Sequence, residues 1–407
     1  MTAEITVRQA AADDLDAIAH LKSIGFGRGI TAARADLETN PRYSPRDFVL
    51  AEINGQPVGT GCAFATQMWL SGVPLQMGAV AGVTTHPNYR NRGVCRAMME
   101  YLVAKMARDG MAISALFPIA HSIYQKLGYA AAAVWHAYSI KPDNLPPLPE
   151  KEHVRPFEPD DLPALRSIYR GSELSQADGR LTRSTAWWER LVSDKYRTGS
   201  NHIVVFDDGG VEGYLKYTVT ADNILDVAEM FVYSDAAYRG LWGHMAARPG
   251  ITAIACLTPA NDPLFHLLNT PADSQGGNRG WVFDDIFHAT SSFMLRIIDL
   301  PEALTSRFYP HNMMGNRVLK IHDPHIPANQ TPLRFRIVDG RPETQPAGNN
   351  PPQIETDIGT FSQIFCGFLL PEQARRLKRL HADDETVAWL GKAMATRPLY
   401  IQPGDWF

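Results

Sequence analysis

A short arrangement of residues occurs twice, in the same order, in this chain of 407 residues. Val7-Arg8 is followed by Asp13-Asp14, and further on Val154-Arg155 is followed by Asp160-Asp161. In each copy a short strand would end in the Val-Arg pair and the acidic pair would begin a helix, where carboxylates bind free N–H groups and suit the helix dipole. The repeat is the strongest constraint on the fold, because each copy predicts the same supersecondary unit.

The repeat extends into the strands that follow. A strand at 47–52 meets an Asn54-Gly55 turn and a second strand at 58–64, which predicts a β-hairpin. The second copy has strands at 202–206 and 213–217, joined by a Gly-rich turn. Short matches arise easily by chance, but several matches in one order favour a duplication and therefore two similar domains in tandem.

Proline marks the boundary between the copies. Residues 141–149 contain four prolines in nine positions, which neither a helix interior nor a central strand tolerates, so this segment is a linker. A second boundary precedes an apolar strand pattern at 292–300 and a helix start at Pro301. We therefore expect domains at 1–148, 149–288 and 289–407.

Composition excludes several classes of function. The 39 basic and 43 acidic residues give a net charge of −4, which argues against a nucleic-acid binder. No apolar run reaches the roughly 18–20 residues of a membrane span, and the first residues lack the features of a secretory signal. Four widely spaced cysteines form no Cys-x-x-Cys pair, so we expect neither disulfides nor a metal site. These features are typical of a cytoplasmic protein with reduced thiols.

The most informative segment runs from 79 to 129. A strand at 79–85 is followed by the loop Arg90-Asn91-Arg92-Gly93 and by a helix from Val94, whose apolar residues recur every three or four positions. Free N–H groups at a helix start bind phosphate, glycine permits close backbone approach, and arginines add charge-assisted hydrogen bonds. The segment predicts an anion site, and an ordinary loop with solvated arginines is the alternative.

Two motifs in this segment resemble those of the GNAT acetyltransferases. The run from Arg90 to Cys95 is similar to the acyl-CoA-binding pattern R/Q-x-x-G-x-G/A, with Cys95 in place of the usual Gly or Ala. The run from Tyr124 to Tyr129 is similar to the pattern Y-x-x-x-G-Y/F. The resemblance implies acetyl-CoA as co-substrate. The residues that it assigns to binding are Val83, Thr85, Arg90, Asn91, Arg92, Gly93 and Val94.

Acetyl transfer needs a deprotonated amine, a polarised thioester and a proton for the departing thiolate. The resemblance gives the role of general acid to Tyr124. A phenol with an ordinary pKa of about 10 is protonated at neutral pH and can donate its proton. A core aromatic is the alternative for Tyr124, and Tyr129 is expected to pack. His86 and His121 are expected to be satisfied residues, with His121 as the reserve candidate for a base.

Two GNAT-like copies and a third region resemble the Eis (enhanced intracellular survival) branch of this family. That resemblance implies an α+β chain (mixed α/β) with an active N-terminal GNAT domain, a degenerate central one and a C-terminal sterol-carrier-protein-like domain, assembled as a homo-oligomer (hexamer). It also implies that the C-terminal carboxylate of Phe407 acts as general base. In the second copy, residues 238–242 keep one arginine and add Trp242, so we expect no acetyl-CoA there.

The amine that accepts the acetyl group is the part of the function that the sequence determines least. Relatives in this branch acetylate aminoglycosides and polyamines, and such cations need acidic groups, for which Asp405 is the candidate. Residues 23–28 contain no carboxylate, however, and the penultimate residue is Trp406. A small-molecule amine, an amine on a more apolar molecule, or a lysine or peptide amine all stay open, whereas nucleic acid and membrane are not expected as partners.

Two functions of other classes compete with catalysis. The third region places Phe361, Ile364 and Phe365 at near-helical spacing with Phe368 and Leu369, which fits a lipid carrier or an ordinary core. An acetyl-CoA sensor without turnover is the other alternative. A Pro-, Asn- and Gly-rich stretch at 342–352 is expected to be a loop tip.

Overall fold

The computed structural model describes residues 4–171, 178–193, 201–270 and 287–407. In chain order, the strands are β1 (Ile5–Gln9), β2 (Phe48–Ile53), β3 (Gln56–Leu70), β4 (Val73–Thr85), β5 (Ile113–Leu116), β6 (Ala130–Ala131), β7 (Val134–Ile140), β8 (Val154–Pro156), β9 (Asn201–Asp207), β10 (Val211–Val219), β11 (Ile224–Val232), β12 (Ala253–Pro259), β13 (His288–Ser291), β14 (Met294–Ile297), β15 (Gly315–His322), β16 (Leu333–Val338), β17 (Arg341–Pro346), β18 (Ile354–Asp357) and β19 (Leu380–His381). The helices are α1 (Leu15–Phe26), α2 (Ile30–Thr39), α3 (Val94–Arg108), α4 (His121–Gln125), α5 (Leu162–Gly171), α6 (Thr185–Val192), α7 (Asp235–Ala247), α8 (Leu264–Leu267), α9 (Leu300–Thr305), α10 (Ile358–Phe365), α11 (Pro371–Arg376) and α12 (Asp384–Ala393).

The first two sheets exchange strands. The first has the order β1-β2-β3-β4-β5-β14-β6, and the second has the order β13-β7-β12-β11-β10-β9-β8. Strand β14, from late in the chain, therefore lies between β5 and β6, while β7 lies between β13 and β12. The sheets therefore do not follow the linear division at 148 and 288. Strand β7 precedes residue 148 but lies in the second sheet, and β14 follows residue 288 but lies in the first. That division stays a proposal about sequence units rather than about separate sheets.

The two copies of the repeated sequence form the same ion pair. The Arg8 guanidinium donates to both carboxylate oxygens of Asp14 at 2.7 and 2.8 Å, and Arg155 donates to both oxygens of Asp161 at 2.8 Å. Each aspartate also accepts a backbone N–H three residues before it, at 2.7 and 2.8 Å. A bidentate fork of this kind is geometrically specific, so its recurrence supports a duplication.

The first hairpin turns as the sequence predicts. Asn54 and Gly55 both have positive φ angles, of 53° and 74°, which is what a two-residue type I′ turn requires. The hairpin that β4 forms with β3 is long, with pairing that extends from Gly59–Thr85 to Leu70–Val73. On its other side β4 pairs in parallel with β5.

The third sheet has the order β17-β16-β15-β18-β19. The expectation of a loop tip at 342–352 is wrong for its first part, since Arg341–Pro346 forms β17. Proline is tolerated there because β17 is an edge strand, which needs N–H donors on one side only. Residues 347–352 follow outside regular structure.

Helix α10 joins the third domain to the first sheet. Phe361, Ile364 and Phe365 are at most 1% exposed, and they belong to the same core as β14. Ser362 Oγ accepts the backbone N–H of Ile297 at 2.9 Å. This apolar stripe is therefore core, and only Phe368, at 37% exposure, projects toward solvent.

Candidate active site

The site begins where β4 and β5 separate. Their parallel pairing runs from Met77–Ile113 to Val80–Leu116, and β4 then continues through Thr85 with no partner on that side among the described residues. A bulge at Gly82, with a φ of +63°, turns the strand at this point. The backbone groups after the bulge thus face a cleft and are free to bind an extended ligand arm.

Helix α1 packs against the same bulge. A Cβ on Gly25 would lie 2.0 Å from Oγ1 of Thr84, so only glycine permits the helix to pack this closely. Gly25 and the neighbouring Phe26 line the cleft beside the open part of β4. No motif in the sequence pointed to these two residues.

The cleft has a volume of about 980 Å³. It brings together most of the site residues predicted from the sequence, which are Val83, Thr85, Arg90, Asn91, Gly93, Val94 and Tyr124. Arg92 is not among its lining residues, and its guanidinium lies over the ring of Tyr89, at 5.3 Å from the ring centroid. Phe407 does not line it either.

The loop before α3 has the features of an anion site. Asn91 and Gly93 have φ angles of +61° and +88°, which turn the chain tightly into the helix. Gly93 is the N-cap and provides no side chain to cover the first N–H groups of α3. Arg90 and Arg92 are exposed, and within the described residues neither forms an ion pair. Uncapped N–H groups and two guanidinium groups that form no ion pair among the described residues can together bind a diphosphate.

Tyr124 lies on the opposite wall, on the short helix α4. It is 5% exposed, and burial raises the pKa of its phenol to about 12. The hydroxyl is therefore protonated throughout the neutral range. Tyr129 packs as expected, since it is 1% exposed and its hydroxyl shares a 2.8 Å hydrogen bond with Ser114.

A fully buried ion pair supports the end of α4. Arg296 donates to the carbonyl of Leu127 at 2.6 Å and to both carboxylate oxygens of Asp323 at 2.8 Å. Gly128, the glycine of the tyrosine motif, has a φ of +82°, and a Cβ there would lie 1.8 Å from Arg296 Nη1. The glycine is thus required both by its backbone angle and by the guanidinium beside it.

The third domain also lines the cleft. Pro324 and His325 follow Asp323 and contribute to its wall, and His325 Nε2 lies 2.8 Å from the carbonyl oxygen of Lys126. Helix ends leave carbonyl groups without partners, and the third domain supplies partners for two of them here. Sequence reasoning missed these residues because no local motif marks them.

Phe407 lies in an aromatic cluster beyond the end of β5. Its ring centroid is 5.2 Å from that of Phe117 and 5.8 Å from that of Phe64, both in the N-terminal domain. Trp406 stacks on Trp135, with centroids 6.1 Å apart. The Arg42 guanidinium donates to the carbonyls of Asp405 and Trp406 at 3.3 and 3.1 Å. The last residues are therefore held rather than frayed.

Asp405 does not offer a free carboxylate to a substrate. It is 2% exposed and accepts hydrogen bonds from Arg183 at 2.7 and 2.8 Å and from Tyr169 at 2.9 Å. Arg183 also binds Glu229 at 2.5 Å. The candidate role of Asp405 in binding a cationic acceptor is wrong, because the carboxylate is buried and both of its oxygens already accept hydrogen bonds inside the protein.

The two histidines considered from the sequence have other partners. His121 Nε2 lies 2.8 Å from Ser291 Oγ, and His86 accepts the backbone N–H of Asn88 at 3.3 Å. Neither lines the cleft. Both are satisfied residues, as expected.

The corresponding region of the central domain differs in each respect. Ser234 caps α7 by accepting the N–H of Ala237 at 3.1 Å, and Arg239 forms an ion pair with Glu150 at 2.6 Å. Trp242 is 1% exposed, in the core. As far as the described residues show, this helix start offers an anion neither the open N–H groups nor the free arginine of the first copy.

The described part of the chain contains neither a metal-binding cluster nor a membrane-spanning helix. There, no group of three or more His, Cys, Asp or Glu side chains could hold a metal ion. In the same residues no helix is long and apolar enough to cross a membrane. All four cysteines are free thiols.

Comparison with protein families gives one match for each third of the chain. Two family models described as "Acetyltransferase (GNAT) domain" match residues 6–132 and 179–297. A model described as "Sterol carrier protein domain" matches residues 300–402.

Several curated proteins and solved structures resemble most of this chain. N-acetyltransferase Eis of Mycobacterium bovis is 25% identical over 326 residues, which cover 77% of this chain and 76% of that protein. An uncharacterised N-acetyltransferase of Streptomyces griseus is 25% identical over 295 residues, covering 66% of this chain and 68% of that protein.

Among solved structures, a GCN5-related N-acetyltransferase from Kribbella flavida superposes with a TM-score of 0.84 at 23% identity, covering 100% of this chain and 99% of that one. Eis1 from Mycobacterium abscessus gives a TM-score of 0.77 at 18% identity, covering 99% and 100% of the two chains. Two GNAT domains that together span more than half of the chain, followed by a sterol carrier protein domain, make this protein a GNAT N-acetyltransferase that is similar to Eis.

Proposed function

We propose that this enzyme transfers the acetyl group of acetyl-CoA to an amine in the cleft of its N-terminal domain. One observation carries the proposal: a single cleft joins the loop residues Arg90, Asn91 and Gly93 to the open strand Val83–Thr85 and the buried Tyr124. In this scheme, Arg90, Arg92 and the N–H groups after Gly93 bind the diphosphate of the donor. The unpaired backbone of β4 binds the pantetheine arm, which directs the thioester toward the bulge.

Tyr124 acts on the departing sulfur. When the amine nitrogen attacks the thioester carbon, the carbon–sulfur bond breaks and negative charge develops on sulfur. A phenol with a pKa of about 12 stays protonated at neutral pH and can donate its hydrogen to that sulfur. The nitrogen of the new amide loses a proton in the same reaction, which balances the proton delivered to the thiolate.

The C-terminal carboxylate of Phe407 is proposed to receive the proton of the amine. An α-carboxylate with an ordinary pKa of about 3.5 is a weak base for an ammonium group with a pKa of about 10, so the transfer needs a relaying water or partial desolvation. Arg42 donates hydrogen bonds to the carbonyls of Asp405 and Trp406, and the Phe407 ring packs on Phe117. These contacts support a fixed position for the terminal carboxylate.

The test is thiol release from acetyl-CoA with a panel of amines, in wild type and in Tyr124→Phe. The variant removes only a hydroxyl, and we expect kcat to fall by about 10²- to 10⁴-fold with little change in the KM for acetyl-CoA. Tyr129→Phe is the matched control, because it removes a buried hydroxyl from the same motif outside the cleft. Equal kcat values for the two variants, with chemistry rate-limiting, would give Tyr124 a packing role.

The chain end is tested separately. Deleting Phe407 shifts the carboxylate by one residue, about 3.3–3.6 Å of chain, which exceeds hydrogen-bond tolerance. We expect most activity to be lost while acetyl-CoA still binds. Normal kcat/KM in a chain with a short C-terminal extension would exclude the carboxylate as the base.

Two further proposals concern stoichiometry. We propose one acetyl-CoA per chain, because the central domain has a capped helix and a paired arginine at the corresponding place. Calorimetry that finds two equivalent sites would contradict this. A homo-oligomer, with a hexamer as the first expectation, follows from the Eis resemblance and is tested by light scattering.

A further inference from the structure

Four arginines line one small cavity between the first sheet and the central domain. Arg166 and Arg170 lie on α5, and Arg180 and Arg183 lie on the segment that precedes α6. The cavity has a volume of about 230 Å³, and the described residues that line it include no aspartate or glutamate. Positive charges gathered in this way repel one another unless anions balance them.

Elements of two domains build the cavity. The segment 179–182 pairs with the far end of β3, where the Trp69 N–H donates to the carbonyl of Arg180 at 2.8 Å. In the same ladder the Thr182 N–H donates to the carbonyl of Gln67 at 2.9 Å. Trp69 also lines the cavity, so its wall joins the N-terminal domain to α5 and α6. This pairing fixes the backbone that carries Arg180.

One of the four arginines is already paired. Arg183 binds Asp405 at 2.7 Å and Glu229 at 2.5 Å, and Lys216 is a second cation near Glu229. Two cations thus balance these two carboxylates. The guanidinium groups of the other three arginines form no ion pair with a carboxylate of the described residues. The excess positive charge of the cavity therefore comes from these three.

The three arginines are costly where they stand. Arg166 Nε is shielded from solvent and has no hydrogen-bond partner among the described residues. Arg180 Nη1 donates to the carbonyl of Tyr169 at 2.8 Å, and burial lowers the pKa of its guanidinium. Arg170 follows Arg166 by four positions on α5, where neighbouring like charges destabilise a helix. The C-terminal end of a helix favours cations, but this does not provide a partner for the buried Nε.

The charge count includes the neighbours of the cavity. Asp178 attracts Arg180, whereas Arg397 repels it, so these two neighbours offset each other. Residues 172–177 lie outside the described ranges, and their one acidic residue, Glu173, can balance one arginine at most. Of the three arginines without an ion pair, at least two therefore keep an unbalanced charge.

We propose that this cavity binds a small oxyanion with two negative charges, with inorganic phosphate as the model ligand. Its charge matches the two that remain, and guanidinium groups bind such oxygens through paired, charge-assisted hydrogen bonds. Thr185 adds a hydroxyl to the wall. The volume is below the roughly 300–1,000 Å³ of pockets for drug-sized ligands, which favours a small anion. The cavity shares no lining residue with the donor cleft, so the inference does not depend on the proposed function.

The experiment is calorimetric titration of the full chain with inorganic phosphate. The test variant combines Arg166→Gln with Arg170→Gln, and we expect phosphate to bind it about tenfold or more weakly than wild type, because charge-assisted contacts are lost. Arg90→Ala with Arg92→Ala removes the arginines of the donor loop and should keep the phosphate site of the cavity. Arg376→Gln, at an exposed position on α11, is the charge-matched control and should bind as wild type does.

Thermal melts separate binding from a structural role. Phosphate should raise the melting temperature of wild type, since it binds the folded chain, and acetate at equal ionic strength should raise it less. Without phosphate, the test variant should melt no lower than wild type, because it has lost two like charges. Three results would overturn the inference: no phosphate binding by wild type, binding lost only in the donor-loop variant, or a test variant that melts lower in phosphate-free buffer.

Discussion

Replacing Asp323 by asparagine should destabilise the protein more than any surface change, although it alters one atom. Asp323 and Arg296 are both 0% exposed. The carboxylate also accepts the side-chain amide of Asn329 at 2.9 Å and the backbone N–H groups of His325 and Ile326 at 3.1 and 3.2 Å. A neutral amide in place of this carboxylate would leave the guanidinium buried without a counter-charge.

The expected magnitude follows from that burial. Removing one partner of a buried ion pair costs about 3–5 kcal/mol, since the remaining charge is uncompensated. At about 2–4 °C per kcal/mol for a unit of 150–250 residues, this corresponds to a fall of roughly 6–20 °C in the melting temperature of the unit that contains the first and third sheets. The central domain can melt in a separate transition, so calorimetry is the appropriate assay.

A matched control lies in the same domain. Glu355 pairs with Lys320 at 2.8 Å, but both side chains are about a third exposed or more. Glu355→Gln should therefore cost about 1 kcal/mol or less. If Asp323→Asn costs no more than this control, Arg296 is not the buried, singly compensated charge described above.

The same substitution has a catalytic readout. Arg296 holds the carbonyl of Leu127, at the end of the helix that carries Tyr124. We expect kcat to fall in Asp323→Asn at temperatures where the protein is folded, with a smaller change in the KM for acetyl-CoA. Unchanged kcat would mean that Arg296 stabilises the fold without positioning Tyr124.

Three other predictions concern single features of the structure. Gly128→Ala should lower both melting temperature and kcat, because its Cβ would displace Arg296 and its φ is positive; calorimetry and thiol release measure the two effects. Arg90→Ala with Arg92→Ala should raise the KM for acetyl-CoA by about tenfold or more, since each charge-assisted phosphate contact contributes about 1.5–3 kcal/mol. Arg8 holds the pKa of Asp14 down to about 2. A carboxyl group whose pKa is depressed by folding stabilises the fold at pH values above its pKa in the unfolded chain. The stability advantage of wild type over Asp14→Asn should therefore disappear as the pH falls from about 4 to 2. Thermal melts across that range would measure it.

The geometry of the proposed donor site could be predicted because it is local in sequence. Strand, loop and helix from 79 to 94 are contiguous, and the positive φ of Gly93 follows from a tight turn into a helix start. The same holds for the Asn54-Gly55 hairpin and for the acidic pairs after Arg8 and Arg155. Each of these features depends on residues that are only a few positions apart.

The remaining half depends on long-range contacts that no spacing encodes. Arg296 reaches a carbonyl 169 positions earlier in the chain, and His325 reaches one 199 positions earlier. Asp405 was a candidate for a free acid because the sequence does not show that it is buried and bound to Arg183. The loop expected at 342–352 became an edge strand in part, because pairing with β16 outweighed the local preference of its prolines for turns.

These long-range contacts make the catalytic unit larger than one GNAT domain. Strand β14 completes the first sheet beside β5, Arg296 on that strand fixes the end of the tyrosine helix, and His325 lines the donor cleft. Phe407, the proposed base, belongs to the third domain and lies far beyond β14 in the chain. A fragment that ends at the proline-rich linker would therefore lack β14, which pairs with β5 inside the first sheet, and exposed sheet edges of that kind favour aggregation. In the proposed function the third domain is therefore part of the acetyltransferase site, and its stripe of phenylalanines packs on the first sheet as core.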